Sequence, residues 1–240
     1  YGINISRARH AVLENINVLH CDSDGFFVRD DSWMTMLTNC KTYDNGNYAV
    51  HFVAGPNDKP NGCSIIGGRF MADDGGGIYI EDGTDIRVAK SSIESTGTAA
   101  YILDNASIFD GNYIEACTNG FYWGAGGDTI YGLTLTNNHM YSVTNPTMPV
   151  SASAGTVYMV GNTVDGVSID SFVGWSTGTG SVQSIDFPAA LKGVPFDVRV
   201  WNIETGYTNN PKFFTDETWT CLNITADNGI NYRYKVQTGF

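Results

Sequence analysis

The chain has 240 residues, of which 42% are hydrophobic and 16% charged, and its 25 acidic and 13 basic side chains give a net charge of −12. This composition is typical of a globular protein with one large or two modest domains. The acidic excess argues against a nucleic-acid partner or an anionic membrane surface. Since no apolar run reaches about 18 residues, we also expect no membrane insertion.

A repeat runs from the first residues to about Trp175. Seven short segments end at an average spacing of about 24 residues. We take their last residues as position 0 of the repeat: Val18, Thr42, Phe70, Ile93, Ile114, Met140 and Val164. A unit of this length without a helical pattern cannot bury its apolar side chains alone, so it must stack on its neighbours.

Three other positions of the repeat are apolar in nearly every unit, and we expect them to face the core. Position −5 holds Leu13, Leu37, Ile65, Val88, Phe109, Leu135 and Met159. Position +8 holds Phe26, Val50, Ile78, Tyr101, Tyr122, Met148 and Phe172, and position +10 holds Val28, Phe52, Ile80, Leu103 and Val150. The sequence therefore predicts an all-β fold, a parallel β-helix of about seven coils over residues 1–175.

Asparagine and glycine recur at positions −3 and −2, between two predicted strands. They are Asn15, Asn39, Gly67, Gly111, Asn112, Asn137, Asn138, Gly161 and Asn162. Both residue types tolerate left-handed backbone, so they favour a tight corner and a stack of amide side chains there. Ile3 and Ile5 have the spacing of positions +8 and +10, so we expect the chain to start in mid-coil, with further coils upstream.

The repeat stops after Trp175. Residues 176–181 have the composition of a linker, and residues 182–240 alternate as the short strands of a small β-sandwich-like domain that caps or trimerises the β-helix. The five cysteines lack metal-ligand spacing and indicate free, buried thiols in a protein that folds in a reducing compartment: Cys21, Cys40, Cys63, Cys117 and Cys221. We expect no metal and no cofactor.

Coils of this length, with apolar alternation after an Asn/Gly corner, resemble the pectate-lyase-like right-handed β-helix superfamily and, more narrowly, bacteriophage tailspikes. The clearest segment is "NGFYWGAGGDTIYGLTLTNNHMYSVTN", residues 119–145. The resemblance implies a homotrimer on the virion tail that folds in the bacterial cytosol and recognises or cleaves a polysaccharide of the host surface. The catalytic motifs of pectate lyases have no counterpart in the sequence.

The positions between the apolar columns should face solvent and stack along the coils about 4.8 Å apart. Position +9 holds Phe27, His51, Tyr79, Ile102 and Trp123, and position +11 holds Arg29, Val53, Glu81, Asp104 and Ala125. Two carboxylates in adjacent coils have the chemistry of a glycoside hydrolase, in which one acts as acid and the other as base or nucleophile. We therefore predict Glu81 and Asp104 as catalytic residues, with Asp82 as a third carboxylate.

The same columns predict the substrate-binding residues. Tyr79 and Trp123 offer flat faces to a sugar ring, and His51 and Arg29 lie beside them. If the enzyme were a lyase instead, His51, Tyr79 and Arg29 would serve as base and neutralising group. A second acidic pair at position +1, Glu94 and Glu115, is a secondary candidate.

A spike without catalysis remains the other class of function, since outward aromatic residues also suit a trimer interface.

Overall fold

The chain is represented by a computed structural model, which describes residues 1–103, 106–123, 131–149, 155–168, 172–177, 182–186, 197–202, 212–215, 221–225 and 231–237. Within these ranges the chain forms strands and turns and no helix, so none of the described residues belongs to a helix able to cross a membrane. The all-β prediction is confirmed.

The strands stack into three sheets, each containing seven parallel strands, so the chain makes about six full turns. The first sheet contains β1 (Ile3–Ser6), β4 (Phe26–Arg29), β7 (Tyr48–Val53), β10 (Gly76–Ile80), β13 (Thr98–Ile102), β16 (Asn119–Trp123) and β19 (Asn145–Pro149). The second contains β2 (Val12–Glu14), β5 (Met36–Thr38), β8 (Ser64–Ile66), β11 (Arg87–Ala89), β14 (Ile108–Asp110), β17 (Tyr131–Thr136) and β20 (Gly155–Val160). The third contains β3 (Asn17–Leu19), β6 (Lys41–Tyr43), β9 (Arg69–Met71), β12 (Ser92–Glu94), β15 (Tyr113–Glu115), β18 (His139–Tyr141) and β21 (Thr163–Val164).

Later strands extend this body with antiparallel pairing. They are β22 (Val167–Ser168), β23 (Phe172–Thr177), β24 (Val182–Asp186), β25 (Asp197–Asn202), β26 (Lys212–Thr215), β27 (Cys221–Thr225) and β28 (Asn231–Gln237). The second sheet continues through β23, β28 and β25, whereas β24, β27 and β26 form a separate three-stranded sheet. The linker at 176–181 and the sandwich-like domain at 182–240 stay predictions.

The core is built from the predicted apolar columns of the second and third sheets. Leu37, Ile65, Val88 and Phe109 pair in register on the second sheet and are fully buried. The third sheet supplies Phe70, Ile93 and Ile114 in the same way. In a parallel stack, the same position of each coil lies directly over that position in the next coil. Apolar side chains at one position therefore pack against the apolar side chains of the coils above and below.

The corner between the second and third sheets also follows the prediction. Position −3 has left-handed backbone in every coil, with φ between 51° and 69°: Asn15, Asn39, Gly67, Lys90, Gly111, Asn137 and Gly161. At position −2 the buried Asn112 donates through Nδ2 to Asn138 Oδ1 at 2.9 Å, and Asn138 donates to Asn162 Oδ1 at 2.9 Å. The amide stack is confirmed, and each net hydrogen bond contributes about 1 kcal/mol.

The first sheet follows the predicted register only as far as β10. Phe26, Val50 and Ile78 face the core as expected. From β13 onward the column shifts by one residue, because Ile78 pairs with Ala100 and not with Tyr101. The corner before β13 is residues 95–97, one residue fewer than residues 72–75 before β10. Losing one residue exchanges the two faces of a strand.

This shift corrects the predicted positions of several residues, including Met148, which was predicted in the inward column and pairs with Tyr122. Tyr101 and Tyr122 lie in the outward column of Tyr79, not in the core. Ile102 and Trp123 lie in the inward column, where their exposed fractions are 0% and 4%. Trp123 therefore packs in the core and offers no face to a sugar.

Four of the five cysteines lie in the described part of the chain, and all four are free thiols. Cys40, Cys63 and Cys117 are buried as predicted, and burial raises the pKa of the Cys40 and Cys63 thiols. Cys21 is only half-buried. Cys221 belongs to β27, and its side chain is not among those described.

Candidate functional site

A continuous row of aromatic side chains runs along the outer face of the first sheet, across the strands and parallel to the axis of the β-helix. We call it the aromatic row. Its members come from β4, β7, β10, β13 and β16 and share one register column: Phe27, His51, Tyr79, Tyr101 and Tyr122. Parallel pairing forces this contact, because each residue lies one strand spacing from the next.

The rings of the aromatic row touch one another from end to end. The centroids of Phe27 and His51 are 5.2 Å apart, those of His51 and Tyr79 are 4.6 Å apart, and those of Tyr79 and Tyr101 are 5.8 Å apart. Tyr101 and Tyr122 meet edge to face at 4.5 Å. The three tyrosines are half-buried. The row therefore presents apolar ring edges and phenol groups to whatever binds there.

Tyr48 widens the row beside β10. Its ring lies 4.6 Å from the Tyr79 ring and 5.5 Å from the His51 ring. Gly76 permits this arrangement: its φ is +142°, and a Cβ atom there would lie 3.4 Å from the Tyr48 ring and 2.7 Å from the Thr98 carbonyl oxygen. A larger residue at position 76 would be strained in backbone and in space.

The tyrosine hydroxyls near this point stay protonated at neutral pH. Burial, with the nearby Glu81 carboxylate, raises the pKa of Tyr79 to about 12. Burial also raises the pKa of Tyr48. Both phenols can therefore donate a hydrogen bond to a ligand oxygen, and neither is suited to act as a base.

A hydrogen-bonded chain of three side chains crosses the middle of the row. His51 Nδ1 lies 3.2 Å from Asp24 Oδ2, and His51 Nε2 lies 3.0 Å from Glu81 Oε2. Asp24 is almost fully buried and also accepts hydrogen bonds from Asn47 Nδ2 at 2.7 Å and from the Tyr48 backbone N–H at 3.1 Å. We call Asp24, His51 and Glu81 the acid–histidine chain.

The acid–histidine chain has one fixed end and one open end. Asp24 and His51 have side-chain exposures of 2% and 11%, whereas the Glu81 side chain is 45% exposed. With Nδ1–H donating to the Asp24 carboxylate, neutral His51 accepts at Nε2 from protonated Glu81, and protonated His51 donates there to ionised Glu81. Glu81 and His51 can thus exchange a proton at a carboxyl group that solvent reaches.

The structure brings together three of the predicted site residues and separates others. Glu81, His51 and Tyr79 meet as described above. Asp82 points to Lys59, whose Nζ lies 3.0 Å from Asp82 Oδ1, so this carboxylate is half-exposed and paired. Arg29 lies at the end of the row with its guanidinium carbon 5.8 Å from the centroid of the Phe27 ring.

The predicted column that joins Glu81 to Asp104 is wrong by one residue. The Glu81 N–H donates to the Phe52 carbonyl oxygen, and in the next coil it is the Leu103 N–H that donates in the same way to Ile80. Leu103 therefore lies beside Glu81 in the next coil. Asp104 itself lies outside the described residues.

The secondary acidic pair lies on the third sheet, away from the aromatic row. Glu94 and Glu115 pair in register, as predicted. Glu94 accepts hydrogen bonds from Ser92 and from Arg69, the latter at 3.1 Å. Although burial acts to raise the pKa of Glu94, these two partners lower it. Glu94 is therefore a stably ionised, paired carboxylate.

Sequence reasoning missed Asp24, Tyr48, Tyr101 and Tyr122. The two later tyrosines were misplaced by the short corner. Asp24 precedes a strand of one coil and binds a histidine of the next, and no spacing rule within the repeat predicts that contact. Its only signal was its place in the polar turn at residues 22–25.

A family model described as a right-handed beta helix region matches residues 1–183. Among solved structures, the A-module of the mannuronan C-5 epimerase AlgE6 of Azotobacter vinelandii is 15% identical with a TM-score of 0.44, over 69% of this chain and 54% of that chain. The tailspike gp61 of Pseudomonas phage phi297 is 12% identical with a TM-score of 0.42, over 96% of this chain and 49% of that chain.

The Dettilon tailspike protein is 9% identical with a TM-score of 0.33, over 95% of this chain and 56% of that chain. The chain thus spans about half the length of these solved structures. Its sequence matches no curated protein.

Proposed function

Because this chain belongs to the right-handed β-helix family, we propose that its first sheet is a rigid platform that binds a bacterial surface polysaccharide, a capsule or an O-antigen, and hydrolyses it. In this proposal the chain is part of a phage tailspike, assembles as a homotrimer and acts on the outside of the host cell. The glycan lies along the aromatic row, and Glu81 is the residue that acts on the glycosidic bond.

The observation that carries the proposal is the acid–histidine chain in the middle of the aromatic row. Glu81 is half-exposed, while the two residues behind it are buried and held by further hydrogen bonds. Hydrolysis needs a carboxyl group that donates a proton to the leaving oxygen as the C–O bond breaks. His51 is placed to return a proton to Glu81 afterwards, and Asp24 fixes the orientation of the imidazole.

The aromatic row supplies the binding part of the proposal. Tyr79, Tyr101 and Tyr122 give an apolar surface next to Glu81 together with phenol donors for sugar hydroxyls. A second carboxylate is needed to activate the attacking water or to form a glycosyl intermediate. Asp82 and Asp104 remain the candidates for that role.

A non-catalytic receptor-binding spike is the second candidate. Hydrolysis needs two carboxyl groups, and Asp82 is paired with Lys59. Among the described residues, this leaves Glu81 as the one half-exposed carboxylate in contact with the row, through its hydrogen bond with His51, and so favours the spike. A lyase built on His51, Tyr79 and Arg29 has less support, because a Tyr79 pKa of about 12 disfavours this phenol as a base.

The test is to incubate the purified protein with a panel of capsular and O-antigen polysaccharides and to follow reducing ends, ultraviolet absorbance of unsaturated products, and binding. New reducing ends without new absorbance are expected of the hydrolase. New absorbance would assign a lyase, and binding without either signal would assign a spike that only recognises its receptor. No binding to any member of a broad panel would contradict the proposal as a whole.

A further inference from the structure

A cavity opens at one end of the aromatic row, at the carboxyl ends of β1, β4 and β7. Its volume is about 620 Å³, and its walls include Phe27 of the row. Ser6, Arg29 and Val53 share one register column there. Glu81 continues that column in the next coil, since its N–H donates to the carbonyl oxygen of Phe52, the residue before Val53. The cavity therefore lies on the same face as the acid–histidine chain.

Two arginines line this cavity, and one of them is already neutralised. Arg7 Nε donates to Asp30 Oδ2 at 2.7 Å, and Asn57 Nδ2 lies 3.0 Å from Asp30 Oδ1. The hydrogen bond from Arg7 lowers the pKa of Asp30 to about 2, so this carboxylate is ionised at neutral pH. Gly55 makes room for the pair, because a Cβ atom there would lie 2.7 Å from the Asp30 side chain.

Arg29 is the surplus cation of the cavity. Its guanidinium lies over the Phe27 ring, and none of the described carboxylates comes within ion-pair distance of it. The guanidinium is a planar fork that matches a carboxylate with two parallel hydrogen bonds. In a chain of net charge −12, a cation without a carboxylate partner beside an aromatic ring in a cavity has the features of a site for an anionic sugar.

We infer that this cavity binds an acidic unit of the glycan, with its anionic group on Arg29, next to the buried Phe27 ring, whose face Tyr1 already covers. The inference rests on the proposed function for the rest of the glycan, and it names the substrate class as an acidic polysaccharide. Arg29 and Glu81 are two strand spacings apart in the same column, roughly 10 Å. An acidic unit in the cavity would thus be followed by the reacting bond at Glu81.

The inference is tested with a monosaccharide, so that it does not depend on finding the natural glycan. Binding of D-glucuronate and of D-glucose is measured by saturation-transfer NMR and titration calorimetry for the wild type, Arg29→Gln and Arg9→Gln. Arg9 is the matched control, since it also lies over an aromatic ring, 4.6 Å from the centroid of Trp33, but it pairs with Asp31 and does not line the cavity.

We expect glucuronate to bind the wild type at least tenfold more tightly than glucose does, to lose that advantage in Arg29→Gln and to keep it in Arg9→Gln. The inference is overturned if glucuronate binds no better than glucose, or if both variants behave alike. It is also overturned if inorganic phosphate displaces glucuronate at equal concentration, because the cavity would then be a general anion site.

The polysaccharide panel separates this result from the proposed function. Panel binding restricted to neutral glycans would leave the row as the glycan site and refute the acidic substrate class. If glucuronate binds in a way that depends on Arg29 but no panel glycan binds, the acidic-sugar site would stand and the proposed function would be refuted.

Discussion

The outer faces of the first and third sheets both display tyrosines and glutamates in stacked coils, yet they differ in how those groups are held. On the first sheet the tyrosines touch ring to ring and Glu81 ends a buried hydrogen-bonded chain. On the third sheet Tyr113 and Tyr141 are exposed, and Glu94 is paired with Arg69. Residue types alone do not distinguish a site from a surface, whereas buried partners behind an exposed group do.

The largest difference should appear when the glutamate of each face is changed to glutamine. We predict that Glu81→Gln lowers the rate of reducing-end release by roughly 10²- to 10⁴-fold, the range for loss of a general acid, while binding of the polysaccharide persists. Glu94→Gln, the matched control, keeps an acceptor for Ser92 and Arg69 and should retain the wild-type rate. Equal losses in both variants would remove the distinction between the two faces.

Asp24→Asn should have the next largest effect, through His51. Its oxygen can still accept from Asn47 and from the Tyr48 N–H, but its amide would face His51 Nδ1 as a donor and favour the tautomer with hydrogen on Nε2. An amide donor facing Nδ1 also opposes the imidazolium form of His51, so the return of a proton from His51 to Glu81 would fail.

We expect a rate at least tenfold lower and an altered pH–rate profile for Asp24→Asn, with unchanged affinity. A lower rate with the wild-type pH profile would indicate a purely structural role for Asp24.

Removing a ring should produce a smaller effect, on affinity. Tyr101→Ala removes the ring that contacts both Tyr79 and Tyr122. It should weaken polysaccharide binding by about 1 kcal/mol, or about fivefold. Tyr113→Ala removes an exposed ring from the third sheet and should leave the affinity unchanged. Titration calorimetry with one polysaccharide measures both, and a larger loss in Tyr113→Ala would move the binding face to the third sheet.

The smallest expected effect is on stability, and it concerns the arginine–carboxylate ion pairs at the two faces. The folded-state pKa of Asp30, about 2, lies below its ordinary value of 3.8, so the Arg7 pair stabilises the fold above pH of about 4, and this contribution is lost as the pH falls through about 2. Arg7→Gln should therefore melt below the wild type at neutral pH and approach it in acid.

Thermal unfolding of Arg7→Gln between neutral pH and about pH 2 checks this. Arg69→Gln is the comparison variant, because Arg69 pairs with Glu94, which is less buried than Asp30. A gap in Tm between wild type and Arg7→Gln that does not narrow in acid would contradict the assigned role of the Arg7–Asp30 pair.

Hydrophobic periodicity was sufficient to predict the coils, the columns of the second and third sheets and the left-handed corner, because stacked coils repeat one environment every turn. It failed on the first sheet at β13, where a corner shorter by one residue turned Trp123 inward and Tyr101 and Tyr122 outward. Corner length depends on local backbone geometry, which the apolar pattern does not encode.

The candidate site was predicted in part. Glu81, His51 and Tyr79 were identified because they lie in coils where the register held. Asp24 was not, because its contact with His51 joins a turn to a strand of the next coil. Such a contact is set by three-dimensional packing and not by the spacing of residues along the repeat.

The central claim is that the first sheet carries the glycan along the aromatic row with Glu81 at the reacting bond. A crystal structure of Glu81→Gln with an oligosaccharide from a bound panel member tests it most directly. The account predicts sugar rings along Tyr79, Tyr101 and Tyr122, with a glycosidic oxygen at the side chain of residue 81. Sugar bound on the third sheet, or at a surface away from residue 81, would contradict it.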